Sequence, residues 1–200
     1  MEILTELSQR IKAEGFEHFG FATLKRPFSI ELYRQWLADG CHADMAYLQD
    51  HLPLKENPQL LMPKARSAIV LSEPYYPARP QSARLSTVRS ALYSNGRDYH
   101  LWLGEKLERL RTSLLEIFPS EEFLCYVDSK PVAERDLAAR AGLGWIGKNG
   151  CLISRDHGSL FFLGEIFTSL ALEEASLIPD HCGTCNRCVE ACPTAAIRPD

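Results

Sequence analysis

The stretch "EFLCYVDSKPVAERDLAARAG", residues 122–142, decides the fold class. Its first part, "EFLCYVD" (122–128), is an apolar run with the aromatic and β-branched content of a strand. "SKPVAERDLAARAG" follows at once, with Pro131 early and Gly142 at the far end, the punctuation of a helix. A strand passing directly into a helix predicts helices packed on a sheet. Asp128 stands where the strand ends, and ligands of such sheets collect at carboxyl ends of strands. Spacing alone gives Asp128 or Ser129 the plainer role of capping the helix.

Elements of both kinds extend outward from this stretch. Ile3, Leu4, Leu7 and Ile11 share one helical face, closed by Gly15. "HFGFATL" reads as a short buried strand, and a helix over about 28–39 stops at Gly40. "AIVLSEPYY" (68–76) is rich in strand formers, and Pro77 and Pro80 open an irregular stretch. The clearest helix starts after Asp98, an N-cap, and runs through Leu103, Leu107, Leu110, Leu114 and Ile117 to Pro119. "GCLISRDHGSLFFLGEIF" reads as two strands around Asp156-His157-Gly158, a hairpin. Helices and strands alternate with at least one antiparallel pair, so the expectation is a mixed sheet covered by helices. No internal repeat or low-complexity tract interrupts the pattern.

Composition sets the outer limits. Two hundred residues, 46% hydrophobic and 24% charged, suit one core with a small appendage. No apolar run could span a bilayer, and "MEILTELSQRIKAEG" is no signal peptide, so a cytoplasmic location is the default expectation. A net charge of −4 gives no global reason to expect nucleic acid. Locally, Arg79, Arg84, Arg89 and Arg97 occur with no acidic residue between Glu73 and Asp98. A solvated loop and an anion-binding face both fit that bias.

Seven cysteines in a cytosolic chain point to metal or redox chemistry rather than disulfides. Four of them form Cys182-x-x-Cys185-x-x-Cys188-x-x-x-Cys192-Pro193, the bacterial ferredoxin run. Three thiolates at this spacing wrap one 4Fe–4S cluster, and the fourth, before proline, serves a different cluster. Structural zinc competes, but zinc normally joins two CxxC knuckles across an intervening loop. By this count one cluster lacks a fourth ligand and the other lacks three. Cys41, Cys125 and Cys151 are isolated and read as small buried hydrophobes. The segment "GLGWIGKNG" permits close backbone approach to a bulky planar ligand but matches no dinucleotide fingerprint or P-loop. In "NGRDYH" (95–100), Arg97 beside a helix N-terminus favours an anion, while His100 reads as an ordinary partly buried histidine.

Taken together, "NGRDYH", "VDSKPVAERDLAARAGLGWIGKNG", "GSLFFLGEIF" and "CGTCNRCVEACPTAAI", in that order, resemble the epoxyqueuosine reductase family; "DMAYLQDH" (44–51) is a weaker match. The resemblance implies an α/β (α+β) cobalamin-binding domain, residues 1–178, similar in architecture to reductive dehalogenases. Residues 179–200 would begin a ferredoxin-like module that holds two 4Fe–4S clusters in the intact family enzyme. The implied activity is reduction of epoxyqueuosine to queuosine in tRNA, with electrons from an external low-potential donor. Opening an epoxide to an alkene needs two electrons, a proton for the leaving oxygen and loss of water. Reduced cobalt is a strong nucleophile or electron donor that such clusters can reduce. The family's proton donor falls on Asp128, and burial beside the corrin would raise its pKa and keep it protonated. Cobalamin contacts fall on His51, Arg97, Leu152, Leu163 and Ile166. Cys182, Cys185 and Cys188 would hold the first cluster and Cys192 the second.

Family members continue with a second cysteine set and a helical-repeat region that helps hold tRNA, whereas this chain ends at Asp200. A truncated form, a partner chain that supplies the rest, and a lost reaction all fit, and the reading adopted is a chain cut inside its electron-transfer module. A monomer is the default expectation. An iron–sulfur electron-transfer or corrinoid-binding protein without tRNA chemistry is the alternative, and a zinc-stabilised interaction domain a further one.

Overall fold

The computed structural model describes residues 2–75, 91–94, 96–128 and 130–198. Arg79, Arg84 and Arg89, with Pro77, Pro80 and Ser129, lie outside the described residues. The chain runs α1 (Glu2–Ala13), β1 (His18–Thr23), α2 (Ile30–Ala38), α3 (Tyr47–Asp50), α4 (Leu52–Glu56), β2 (Ser67–Pro74), α5 (Tyr99–Ile117), β3 (Phe123–Tyr126), α6 (Glu134–Arg140), β4 (Trp145–Ile146), β5 (Leu152–Ile153), β6 (Phe161–Thr168) and α7 (Arg187–Ala191). Single 3₁₀ turns occupy Pro58–Leu60 and Leu92–Ser94.

The central sheet has the order β1-β2-β6-β3, and helices cover it as expected. Its neighbours are all antiparallel among the described residues, so the sheet is not mixed. β5 and β6 do not form a hairpin with each other. Ser154 and Gly158 exchange backbone bonds of 2.7 and 3.1 Å around the expected turn. The flanking strands then diverge: β5 pairs β4, while both edges of β6 are taken by β2 and β3.

Alternation along the strands divides the interior in two. Ile69, Leu71 and Ile166 meet Leu7 and Ile11 of α1 and Leu103, Leu107, Leu110 and Leu114 of α5. Leu4 packs at the edge of this cluster, but Ile3 is half exposed and off the α1 face. Ala68, Val70, Tyr126 and Phe167 meet Leu137, Ala138 and Ala139 of α6. The second interface is tight, because a Cβ on Gly20 would lie 1.9 Å from the Ala141 carbonyl oxygen. Asp98 caps α5 by accepting the His100 N–H at 2.9 Å. No helix among the described residues is long and apolar enough to cross a membrane.

α6 is also fixed by a buried ion-pair network. Arg140 donates from Nε to Asp136 at 2.9 Å and from Nη1 to the Thr23 carbonyl at 2.7 Å and Glu174 at 3.2 Å. Asp136 accepts from Ser29 N–H and Oγ, each at 3.1 Å, which binds the start of α2 to α6.

Candidate active site

Asp128, residues 130–133, the first turn of α6, α2 and the α3–α4 corner line a cavity of about 860 Å³, within the ~300–1,000 Å³ of small-molecule sites. Tyr33 and Trp36, stacked at 5.9 Å on α2, form an aromatic wall. His51 also lines the cavity, its ring edge-on to Tyr47 at 5.6 Å. Ile146 and Gly150, from the β4–β5 hairpin, close another side. Asp128 and His51, distant in sequence, therefore line one space.

Asp128 does not cap α6. The residue before that helix is Ala133, and Pro131 lies in the preceding loop. Asp128 holds φ +46°, a left-handed backbone that costs a non-glycine residue about 1–2 kcal/mol. Such strain collects where a site needs a particular geometry. The loop is held by the Asp128 N–H, which donates to Glu134 Oε1 at 2.9 Å. Its side chain, 56% exposed, accepts from the Tyr99 hydroxyl at Oδ2, and His100 Nε2 lies 3.5 Å from the same oxygen. His100 Nδ1 faces Asp98 at 2.8 Å, and that contact raises the histidine pKa. Burial and the bond to Asp128 hold Tyr99 above its ordinary pKa, so it stays a phenol and donates. Phe162 stacks on the Tyr99 ring at 4.1 Å. His100 is thus a partner of the site's aspartate rather than a bystander.

Sequence reasoning missed two carboxyls. Glu134 lines the cavity, and burial, followed by the charge of Asp128, pushes its pKa up to about 7 against the pull of Lys55 and Arg135. Glu165 of β6 is wholly buried, and neither carboxyl oxygen has a hydrogen-bond partner among the described residues. Burial, then Glu134 and Asp128, raise its pKa well above the carboxylate range. A lone glutamate inside the apolar run "FFLGEIF" was the available signal. Lys55 donates from Nζ to the Val132 carbonyl at 3.1 Å, and burial lowers its pKa.

Arg97 lies outside the cavity lining and is engaged by Glu105 through both guanidinium Nη atoms, at 3.1 and 2.5 Å. Ile166 is fully buried against α5, and Leu152 is 4% exposed in the α6-side core. Leu163 is half-buried at the edge of that same core. None of the three lines the cavity: Ile166 and Leu152 are packed interior, and Leu163 lies along the core's edge.

The cysteine-rich segment docks beside the hairpin. A Cβ on Gly147 would lie 3.4 Å from Cys182 Sγ, an ordinary contact distance that places the sulfur against the hairpin. Lys148 Nζ donates to Asn186 at 2.9 Å. Cys188 lies in α7, and Cys192 follows it. Backbone N–H groups of Ile197, Thr194 and Ala196 and the Thr194 hydroxyl turn towards Cys192 and lower its thiol pKa to about 7. That donor set favours the thiolate a cluster requires. Cys41 and Cys151 are exposed rather than buried, and burial pushes the half-buried Cys125 thiol up.

Residues 55–129 match the family described as "Epoxyqueuosine reductase QueG, DUF1730", and residues 175–198 match the "4Fe-4S binding domain". The epoxyqueuosine reductase of Synechocystis sp. is 45% identical over 82% of this chain and 56% of its own length. That of Gloeobacter violaceus is 40% identical over 96% and 60%. The structure of epoxyqueuosine reductase from Streptococcus thermophilus has a TM-score of 0.85 at 29% identity, covering 99% of this chain and 54% of that one. An epoxyqueuosine reductase bound to an epoxyqueuosine-modified tRNA-Tyr stem loop has a TM-score of 0.79 at 30% identity, covering 98% and 53%. The Bacillus subtilis enzyme with an aspartate-bearing catalytic loop swung out of its active site has a TM-score of 0.79 at 29%, covering 98% and 53%. A catabolic reductive dehalogenase shares the fold, with a TM-score of 0.57 at 16% identity over 88% of this chain and 20% of its own. The chain spans a little over half the length of the curated relatives it matches. By sequence and by fold, this chain belongs to the epoxyqueuosine reductase family.

Proposed function

We propose that this chain carries the cofactor-binding and catalytic part of an enzyme that reduces epoxyqueuosine to queuosine in tRNA, with Asp128 as the acid. The observation that carries the reading is the strained, cavity-lining Asp128 bonded to Tyr99, His100 and Glu134. The tRNA-bound relative supports the substrate class, and the mobile aspartate-bearing loop of the Bacillus subtilis relative supports the acid. Residues 1–178 form the catalytic unit in this reading, and 179–200 begin the cluster module.

The cavity fits a large planar cofactor through its aromatic wall, its mixed polar rim and its volume of about 860 Å³. His51, Tyr33 and Trp36 would hold cobalamin there, and bound cobalamin supplies a strongly reducing cobalt centre. Cys182, Cys185 and Cys188 would hold one 4Fe–4S cluster and Cys192 would contribute to a second.

The balanced reaction is epoxide plus two electrons and two protons giving alkene and water. Asp128 donates a proton to the epoxide oxygen as its carbon–oxygen bond breaks. Its carboxyl is 56% exposed; a ligand over it would desolvate the acid and favour its protonated form until transfer. Tyr99 fixes one carboxyl oxygen and leaves the other for substrate. An external low-potential donor in the cytoplasm would supply the electrons.

The test is anaerobic reconstitution with iron, sulfide and cobalamin, followed by mass spectrometry of an epoxyqueuosine-bearing tRNA stem loop. Wild type is expected to convert it. Asp128→Asn is expected to lose about 10²–10⁴-fold in turnover while cobalamin binding, read from its absorption spectrum, persists. Equal turnover in Asp128→Asn would remove the acid role, and an unchanged corrinoid spectrum on mixing would remove the cofactor. Cofactor and cluster uptake without conversion would favour a corrinoid-binding electron-transfer protein.

A further inference from the structure

The reaction proposed above consumes two protons, and Asp128 can hold only one at a time. A second carboxyl on the same wall is Glu134, whose Oε1 already accepts the Asp128 N–H at 2.9 Å. Several charged and titratable groups face this pair. Lys55 of α4 approaches, but its Nζ donates to the Val132 carbonyl and lies 5.8 Å from the Tyr33 ring centre. Arg135 is bonded to the Gly150 carbonyl. His100 and Tyr99 of α5 meet Asp128 from the other side. Beneath α6, β6 carries Glu165 in cross-strand register with Tyr126 of β3. Glu165 is fully buried with both oxygens unpartnered among the described residues.

A buried carboxyl flanked by other carboxyls resists ionising, because each added negative charge opposes the next. Burial first, and the charge of Asp128 second, raise the Glu134 pKa to about 7. A proton held at that pKa is available for transfer at neutral pH.

We propose that Glu134 is the proton relay of this site: it returns a proton to Asp128 after the first transfer, so that both protons of one turnover come from the cavity wall. The inference rests on the reaction proposed above. Asp128 first protonates the epoxide oxygen as one carbon–oxygen bond breaks, and becomes a carboxylate. The Glu134 carboxyl then gives its proton to Asp128. Asp128 passes that proton to the resulting hydroxyl, the second carbon–oxygen bond breaks and water leaves. The two electrons are those of the overall equation, and both carboxyls recover their protons from solvent.

Two measurements test the relay. In the cofactor-free protein with ¹³C-labelled glutamate carboxyls, one NMR resonance is expected to titrate near pH 7 and to be missing in Glu134→Gln. In the cobalamin- and cluster-loaded enzyme, wild-type kcat is expected to fall as pH rises through that midpoint. Glu134→Gln, which can still accept the Asp128 N–H, is expected to lose about tenfold or more in kcat and to lose this alkaline limb. Glu134→Asp is expected to restore part of both. A glutamate spectrum with no midpoint above pH 6 overturns the proposal, as does Glu134→Gln with wild-type kcat and pH profile. If Glu134→Gln fails to bind cobalamin, the wild-type titration and Glu134→Asp decide. A wild type without any epoxyqueuosine reduction sinks the underlying reading. An active wild type beside an unaffected Glu134→Gln sinks the relay alone.

Discussion

Replacing Glu165 by methionine probes the buried end of the carboxyl row. Glu165 is wholly buried on the α6-facing side of β6, and its carboxyl oxygens have no partner among the described residues. A buried polar group left unsatisfied costs about 1–3 kcal/mol. Methionine has similar reach, no polar hydrogen-bonding demand of comparable strength and a flexible chain that fills irregular space. Glu165→Met is therefore expected to stabilise the fold by about 1–3 kcal/mol at pH 5. A signed pH dependence adds to this. Burial raises the folded-state pKa of Glu165 well above its ordinary value, whereas the unfolded chain keeps a value of about 4.3. Below pH 4 both states are protonated and pH has no leverage. Above it the unfolded state ionises first, so wild-type stability falls as pH rises towards the folded-state pKa. The loss approaches about 1.4 kcal/mol per pH unit, and the methionine variant lacks it. Urea unfolding at pH 5, 6.5 and 8, followed by circular dichroism with unchanged m-value, reads the gap directly. A variant less stable than wild type, or a gap constant across pH, would refute the reasoning.

Two other positions test how the site is held. Gly20→Ala places a Cβ 1.9 Å from the Ala141 carbonyl oxygen, backbone against backbone. The expected loss is about 3 kcal/mol, at the upper end for overpacking, seen as a thermal midpoint lowered by roughly 6–12 °C; an unchanged midpoint would contradict the contact. Arg140→Met leaves Asp136, 1% exposed, without its cation. Breaking such a buried pair costs about 3–5 kcal/mol, and a loss under 1 kcal/mol by chemical denaturation would show that Ser29 alone suffices for Asp136.

Much of the local structure was legible in the sequence. Asp98 announced the start of α5, the spacing of Leu7 and Ile11 marked the inward face of α1, and the run 68–76, rich in strand formers, marked β2. The cysteine run stated its own chemistry, because cluster ligands must recur at fixed short spacings within one small loop-and-helix segment. Asp128 was visible as a strand-end carboxylate. These are features in which the residues that interact are also close along the chain.

Pairing between distant segments was decided by the tertiary structure. Periodicity tells which face of a strand is apolar but not which strand lies beside it, so the antiparallel sheet and the parting of β5 from β6 were not written locally. The same limit turned Leu152 and Ile166 into core rather than cavity wall. Arg97 looked like a free anion site until folding of the α5 start gave it Glu105. His51 and Asp128, far apart in sequence, came to line one cavity only on folding. The raised pKa values of Glu134 and Glu165 come from burial and from neighbouring carboxyls, Asp128 for Glu134 and both Glu134 and Asp128 for Glu165, quantities that exist only once the chain has closed around them.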